Sequence, residues 1–409
     1  MAMNLIRTTC CVVGGGPAGV MLGYLLARAG VEVTVLEKHK DFNRDFRGDT
    51  VHPSTLQLMK ELGILEDFLQ QPHQTIDRVS VTFGGETFEM ASLRAVKIDT
   101  PFIALMPQWD FLNFLTSKAK RYPEFNILME HEATALTMKD DRVAGVTARS
   151  RDGEKQIEAR LVIACDGRHS IMRQDAALPV KEHGVPIDVL WFRLSRRSTD
   201  VGEQVLGNVN YGKLLILIDR GDYFQAGLLI RKGGFPEVQQ QGIDAFRQSL
   251  SQLVPQLGDR VNEIKDWSQV KLLSVQINRL EQWWRPGLLC IGDAAHAMSP
   301  VFGVGINLAI QDAVASANIL APPLSRGDDP DPILAEVQSR REFPVQGTQR
   351  MQVIVHKVLS RVFQQNGPME PPLLLKLITG IPGMQSRMAQ IVGIGLRPEH
   401  IETPDIHTA

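Results

Sequence analysis

Cys11-Val12-Val13-Gly14-Gly15-Gly16-Pro17-Ala18-Gly19 is the stretch that decides the fold. It closes a short β-rich run, Thr8 to Val13, and opens a segment, Ala18 to Ala29, that reads as a helix stopped by Gly30. Val31 to Leu36 follows as a second strand, so the glycines sit at the turn of a βαβ unit. In that setting Gly14 permits the tight turn, Gly16 lets the backbone approach a pyrophosphate at the helix N-terminus, and Gly19 lets helix and strand pack closely. Glu37 ends the second strand near the ~20-residue offset expected of a carboxylate that accepts ribose hydroxyls. Pro17, Ala18 and Lys38 complete the expected cofactor-binding segment. A carboxylate repels a 2′-phosphate, which leaves FAD or NAD(H) as the bound dinucleotide and disfavours NADP.

Further along, Leu161-Val162-Ile163-Ala164-Cys165-Asp166-Gly167 is an apolar strand ending in Asp-Gly, and Leu288-Leu289-Cys290-Ile291-Gly292-Asp293 is one ending in Gly-Asp. Ligands of open α/β sheets lie at the strands' carboxyl edge, so Asp293 is placed to accept from the ribityl hydroxyls of a flavin. The plainer reading of each aspartate is a turn former or helix cap. Pro300-Val301-Phe302-Gly303-Val304-Gly305-Ile306-Asn307 then enters a helix. Its unpaired N–H groups and positive dipole end suit the negative charge of a reduced flavin at its N1–C2=O edge.

The glycine turn, Asp-Gly and Gly-Asp, in this order, resemble the single-component FAD-dependent aromatic hydroxylases (class A flavoprotein monooxygenases), the para-hydroxybenzoate hydroxylase type. The resemblance covers most of the chain, and Gly292 to Asn307 with the helix through Asp312 is its most distinctive part. It implies an α/β fold: a Rossmann-like FAD-binding domain, an interleaved β-sheet substrate domain and a helical C-terminal tail. It also implies that Arg47 and Gln108 reach the FAD phosphates and ribityl region, and that Asp166 serves both FAD and NAD(P)H. The implied reaction is hydroxylation of an aromatic or polyketide-like ring, with NAD(P)H as transient co-substrate and O2 forming a C4a-hydroperoxyflavin. No second glycine-rich unit supplies a separate nicotinamide domain, which disfavours a disulfide or quinone reductase. A related FAD reductase or halogenase is an alternative, although the WxWxIP signature of tryptophan halogenases is missing; a flavin-binding protein without turnover is another.

The 409 residues suggest more than one domain. The expected FAD-binding domain takes 1–74, 102–177 and 274–325, the substrate domain 75–101 and 178–273, and a helical C-terminal region 326–409. Arg47 to Leu62 and Trp109 to Lys120 read as helices, and Asn126 to Ile163 as a strand meander. Residues from about 75 to 101 and from about 178 to 273 contain strand-like alternation, and the tail is helical to Gln365 and again beyond Pro368. In the substrate sheet Tyr211, Lys213, Leu215 and Leu217 share a face, as do Tyr223, Gln225 and Gly227, and Trp191, Arg193 and Ser195. Arg193, Lys213, Tyr223 and Gln225 are the candidates for orienting a phenol; which face turns inward is open.

Bulk composition excludes other classes. A formal charge of −2, with 44% hydrophobic and 22% charged residues, carries no basic excess that would favour nucleic acid. Cys10, Cys11, Cys165 and Cys290 form no CxxC pair and have no histidine at zinc spacing, so no metal site is expected and the thiols read as structural in a reducing cytoplasm. No uninterrupted apolar stretch of bilayer length is read, and the basic residues of the Met-rich tail are too dispersed to argue for a membrane surface. His296 reads as packed rather than catalytic, His52 and His169 as solvated turn histidines, and Trp283-Trp284 as an apolar lid on the Gly-Asp strand. The expected partners are a small hydrophobic aromatic substrate and O2; oligomeric state is open, a homodimer among the options.

Overall fold

The computed structural model describes residues 4–43, 50–94, 96–197, 200, 205–365 and 367–407. Its first sheet has eight strands, and the main path runs Trp284–Arg285, Leu288–Cys290, Gly153–Ala164, Asn4–Val13, Val33–Glu37 and Phe125–Met129. From Leu288–Cys290 to Phe125–Met129 the pairs are parallel, with Val13 level with Leu36 and Ala164, and Ala164 level with Cys290. The carboxyl ends of these strands therefore release Gly14, Glu37, Asp166 and Asp293 along one edge. Asn4–Val13 is central, and Cys10 to Val13 lose nearly all exposure. A strand covered on both faces needs apolar residues without alternation, which explains the unbroken Cys-Cys-Val-Val run.

The Pro17–Arg28 helix and the 22-residue Gly305–Arg326 helix lie in the core with this sheet. The segment Val301–Arg326 has the length and hydropathy (mean 1.3) of a bilayer span, which the reading for apolar stretches missed, yet 78% of its most apolar window is buried within the protein. Its apolarity serves the core.

A second sheet of seven strands runs Lys271–Leu273, Ile187–Ser195, Tyr223–Arg231, Lys213–Asp219, Val205–Asn210, Arg78–Phe83 and Glu86–Ser92. One face packs under helices Phe235–Gln240 and Ile243–Leu253 through Phe246 and Leu250. These helices lie within the region read for its strand-like alternation and were not foreseen there: Phe246, Leu250 and Leu253 recur at helical, not strand, spacing. The other face meets the end of the long Leu334–Val362 helix, where Leu359 and Phe363 pack with Val189, Trp191 and Leu229. A small sheet of Thr50–Val51, Ile103–Leu105 and Gln74–Ile76 is the third element of the fold that carries site residues.

The helix expected over Arg47 to Leu62 is shorter, Pro53–Glu61, and is preceded by the strand Thr50–Val51. Proline at the first helical position fixes this start, because it has no N–H to give and disfavours helical geometry at His52. The tail helices are Leu334–Val362, Leu373–Thr379 and Met384–Gly393.

Candidate FAD site

The glycine turn is built by contact. Gly14 adopts φ +110°, and a Cβ there would lie 2.4 Å from the Cys165 carbonyl oxygen. A Cβ on Gly19 would lie 1.9 Å from the Gly14 carbonyl oxygen, so the helix can approach only as glycine. Gly16 differs: among the described residues a Cβ would meet nothing within 4 Å. The space beside that glycine leaves room for a ligand to lie against the turn. The helix it caps has no side-chain cap and no acidic residue in its first turn, so its N–H groups are available to a pyrophosphate.

Glu37 is buried at the end of its strand and accepts from Gly15 N at 3.2 Å and His39 N at 3.0 Å. These bonds orient the carboxylate beside the turn. Lys38, one residue on, is exposed. Gln108 opens the Gln108–Ala119 helix directly after the strand Ile103–Leu105 and Pro107. Arg47 lies outside the described residues.

At the Asp-Gly strand end, Asp166 Oδ2 accepts from Ile171 N at 2.8 Å and Met172 N at 3.3 Å. Its Oδ1 is buried without a partner among the described residues. Burial raises the Asp166 pKa, against the lowering effect of its hydrogen bonds to Ser170 and the 171–172 backbone. A buried carboxylate oxygen without a donor fits a ligand hydroxyl. Asp166 is thus both turn former and candidate ligand contact. Asp293 Oδ2 pairs with Arg168 Nη2 at 3.3 Å. Arg173 links the two strand ends, donating to Ala294 O at 3.1 Å and Arg168 O at 2.8 Å.

Gly292 is wedged between Ala18 and Ala309, and its N–H donates to Asp312 Oδ2 at 3.1 Å. Asp312 also accepts from His296 Nε2 at 2.6 Å and Arg341 Nε at 2.9 Å, and Arg341 reaches Glu399 at 3.0 Å. Burial alone would raise the Asp312 pKa, but His296 and Arg341 outweigh it and hold the carboxyl below its ordinary value. His296 is packed, as expected, with Trp283 against its ring at 5.0 Å. Trp283 is a core residue, and its neighbour Trp284 pairs with the Gly-Asp strand at Leu289. Arg341 and Glu399 gave no local signal, since a buried ion network is assembled from residues far apart in the chain.

The turn into the second helix passes Pro300, half-buried, then Phe302 at φ +74° and Gly303 at φ +65°. Gly303 O accepts from Thr50 Oγ1 at 2.7 Å, and Gly305 begins a helix with no side-chain cap and no acidic first turn. Ile306 is buried. Asn307 is a tie rather than an open ligand group: its Oδ1 accepts from His52 N at 2.9 Å and Thr55 Oγ1 at 2.7 Å, and its Nδ2 donates to Thr50 O at 3.2 Å. His52 corrects the expectation of a solvated histidine. It is fully buried, with Nδ1 2.9 Å from Val392 O, and burial lowers its pKa to about 4. His169 is exposed.

Pairing in the second sheet separates the substrate candidates. Arg193 faces Gln225, Ser195 faces Tyr223 and Trp191 faces Gly227, so these six share the face that carries Trp191 and Leu229 toward the long helix. Gln225 is buried and accepts from Arg220 Nε at 3.2 Å and Nη2 at 2.9 Å. Arg193 lies over the Tyr223 ring, 4.8 Å from its centroid. Lys213 stands apart, as its strand parity implied: with Leu215 and Leu217 it belongs to the opposite face, which packs with the Ile243–Leu253 helix. Missed by the sequence reading were Arg220 and Trp191, whose buried indole N–H finds no acceptor among the described residues.

The four cysteines are free thiols; burial raises the pKa of each, that of Cys11 to about 12. They are inert packing groups. No cluster of three metal-ligating side chains occurs among the described residues.

Among the described residues, the Gly16 turn with open space at its Cβ position and the Asp166 carboxylate with an oxygen lacking a partner thus follow the carboxyl ends of neighbouring strands, and the helices starting at Pro17 and Gly305 carry no side-chain cap. A family model described as FAD binding domain matches residues 7–350. The chain belongs to that family. This FAD-binding chain is 28% identical over 387 residues to 6-methylpretetramide 4-monooxygenase of Streptomyces rimosus, covering 94% of this chain and 92% of the relative. It is 23% identical to para-nitrophenol 4-monooxygenase of Pseudomonas sp., over 77% and 78% of the two chains. The fold matches the crystal structure of Pseudomonas aeruginosa PqsL in complex with 2-aminobenzoylacetate, with a TM-score of 0.76, 21% identity and coverage of 87% and 98%. The FAD-binding chain is an FAD-dependent monooxygenase, an oxidoreductase of a family for which NAD(P)H is the typical electron source.

Proposed function

We propose that this FAD-dependent monooxygenase hydroxylates a small, hydrophobic aromatic or polyketide-like ring held between the flavin edge and the Trp191–Gln225 face of the second sheet. Bound FAD would supply the redox chemistry, with hydride coming from NAD(P)H, one oxygen atom of O2 going to the ring and the other leaving as water. The Gly16 turn and the Pro17–Arg28 helix would hold the pyrophosphate, Glu37 the adenosine ribose, and Asp166 and Asp293 the hydroxyls along the strand edge. N–H groups at Gly305 and Ile306 would stabilise negative charge on the pyrimidine edge without reorganising, which is where preorganised dipoles contribute most. On the substrate side, the Trp191 indole N–H, Gln225 and the Arg220 it binds would orient an oxygen substituent, and the apolar surround would exclude water.

The observation that carries the reading is Gly16, which precedes a helix N-terminus without a side-chain cap and whose Cβ position meets no described atom within 4 Å. Residues 1–74, 102–177 and 274–325 are taken as the FAD-binding unit, 75–101 and 178–273 as the substrate unit and 326–409 as the helical C-terminal region. A cytoplasmic setting agrees with the four unpaired thiols.

Purified protein titrated with FAD, reduced anaerobically with NADH or NADPH and then exposed to 18O2 beside a panel of phenols and polyketide aromatics tests the reading. Incorporation of a single 18O atom into one ring supports it. A reducible flavin that yields only peroxide across the panel, or halogenated product when halide is supplied, overturns it.

A further inference from the structure

The loop Ala297 to Val301 joins the Gly-Asp turn to the flavin-facing helix, and Ala297 to Ser299 lie in no helix or strand. A buried loop must satisfy its backbone polar groups by other means. Here one face of the Leu334–Val362 helix does so. Gln349 Nε2 donates to Ala297 O at 3.1 Å and Asn278 O at 2.8 Å. Gln352 Nε2 donates to Ser299 O and to Val301 O, each at 3.0 Å, while its Oε1 accepts from Ser299 N at 3.1 Å. His356 Nε2 lies 2.8 Å from Ser299 Oγ, which also accepts from Val301 N at 3.2 Å. None of the three side chains is more than 2% exposed.

Spacings of three and four residues put Gln349, Gln352 and His356 along one stripe of the helix. The stripe continues to Leu359 and Phe363, which pack against Trp191 and Leu229 of the substrate sheet. One helix therefore grips the loop from its middle and meets the substrate sheet at its C-terminal end. Immediately after the gripped residues come Phe302 and Gly303, both at positive φ, and then the helix N-terminus at Gly305. Phe302 is the revealing residue, because a bulky side chain persists at positive φ only where surrounding contacts over-determine the backbone.

We propose that Gln352 and His356 are positioning residues: acting through Ser299 and Val301, they aim the N–H groups at Gly305 toward the flavin and so set how strongly reduced FAD is preferred over oxidised. This rests on the FAD reading above. A purely structural role would cost stability and leave the oxidised-to-reduced balance alone. A positioning role moves that balance in a protein that still folds and binds FAD.

The test uses full-length holoenzyme carrying Q352A, H356A, S299A or H356Q, the last keeping a hydrogen-bonding group in reach of Ser299. Thermal unfolding of the apoproteins, FAD affinity by fluorescence titration, and the flavin midpoint potential by dithionite titration against an indicator dye are read in parallel. In Q352A and H356A the ratio of reduced to oxidised FAD affinity is expected to fall about tenfold, about 30 mV for a two-electron couple. Oxidised FAD affinity should stay within about threefold of the parent, a difference of under ~1 kcal/mol, and H356Q should return to the parent potential. If Q352A does not fold, H356A and S299A carry the test. Parent-like potentials in the folded variants, or H356Q displaced as far as H356A, overturn the proposal. Failure of the parent protein to bind FAD would instead overturn the reading beneath it.

Discussion

His296 and Asp312 meet through an Nε2 to Oδ2 contact of 2.6 Å with essentially no solvent at either side chain. Asp312 in turn holds the N–H of Gly292 and the guanidinium of Arg341, so the turn that presents Asp293 is fixed to the long helix and, through Glu399, to the C-terminal tail. The cofactor edge and the end of the chain are one unit.

Breaking this unit by removing one partner should be costly, since the remaining charge is left buried. Arg341→Met is expected to lose about 3–5 kcal/mol in urea unfolding, the usual result of orphaning a buried charge. Asp312 has a depressed pKa in the fold, so its contribution is present above the unfolded value and disappears only as pH falls through the lower folded value, below about pH 4. A loss under 1 kcal/mol for Arg341→Met at pH 7 would contradict the network's role.

The glycines of the turn should separate by mechanism. Gly14→Ala and Gly19→Ala collide with backbone at 2.4 and 1.9 Å and should yield little folded protein. Gly16→Ala meets no described atom within 4 Å, so apoprotein stability should fall by no more than about 1 kcal/mol, the cost of a poorer cap. Its FAD affinity should nevertheless fall about 10- to 100-fold, or ~1.4–2.7 kcal/mol. Unchanged FAD affinity in a folded Gly16→Ala protein would remove the main support for the site.

His52 and His356 are both neutral in the fold, burial having lowered each pKa to about 4. Unfolded histidine titrates near 6.5, so between about pH 6.5 and 4 the unfolded chain binds more protons and stability rises with pH. Each histidine should contribute a slope of up to about 1.4 kcal/mol per pH unit across that window. Urea denaturation at pH 7, 6 and 5 should find the slope in the parent and a shallower one in His52→Gln; a flat profile in the parent would count against buried neutral histidines.

Substrate-side variants should follow the strand register. Gln225→Leu removes the acceptor that holds Arg220 and should lower kcat/KM about 10- to 100-fold for the substrate found in the 18O screen, the usual cost of about 1.4–2.7 kcal/mol in orientation. Lys213→Ala, on the face covered by helix, should leave kcat/KM within about twofold, under ~0.5 kcal/mol. The reverse ranking would place the substrate on the wrong side of the sheet.

Much of this was legible from local pattern. The glycine turn, Glu37, the Asp-Gly and Gly-Asp strand ends and the Gly303 to Asn307 helix entry are short, contiguous signals whose chemistry depends on near neighbours. The helices at 235–240 and 243–253 were not separated from the surrounding strands, because a few amphipathic turns inside a long alternating region look alike to a pattern search. The His52 environment was hidden as well: nothing near His52 in sequence announces Val392 or Asn307.

The sequence by itself determined that a glycine turn and acidic strand ends suited to a dinucleotide sit at an α/β strand edge, since glycine geometry, helix polarity and strand burial are all consequences of consecutive residues. Tertiary structure alone decided which way things face. Strand pairing put Gln225, Arg193 and Trp191 on one side of the sheet and Lys213 on the other, and long-range packing brought Arg341 to Asp312, Glu399 to Arg341, and Gln352 and His356 to Ser299. These are contacts between residues tens to hundreds of positions apart, and the free energy that selects them belongs to the packed molecule, not to any segment of the chain.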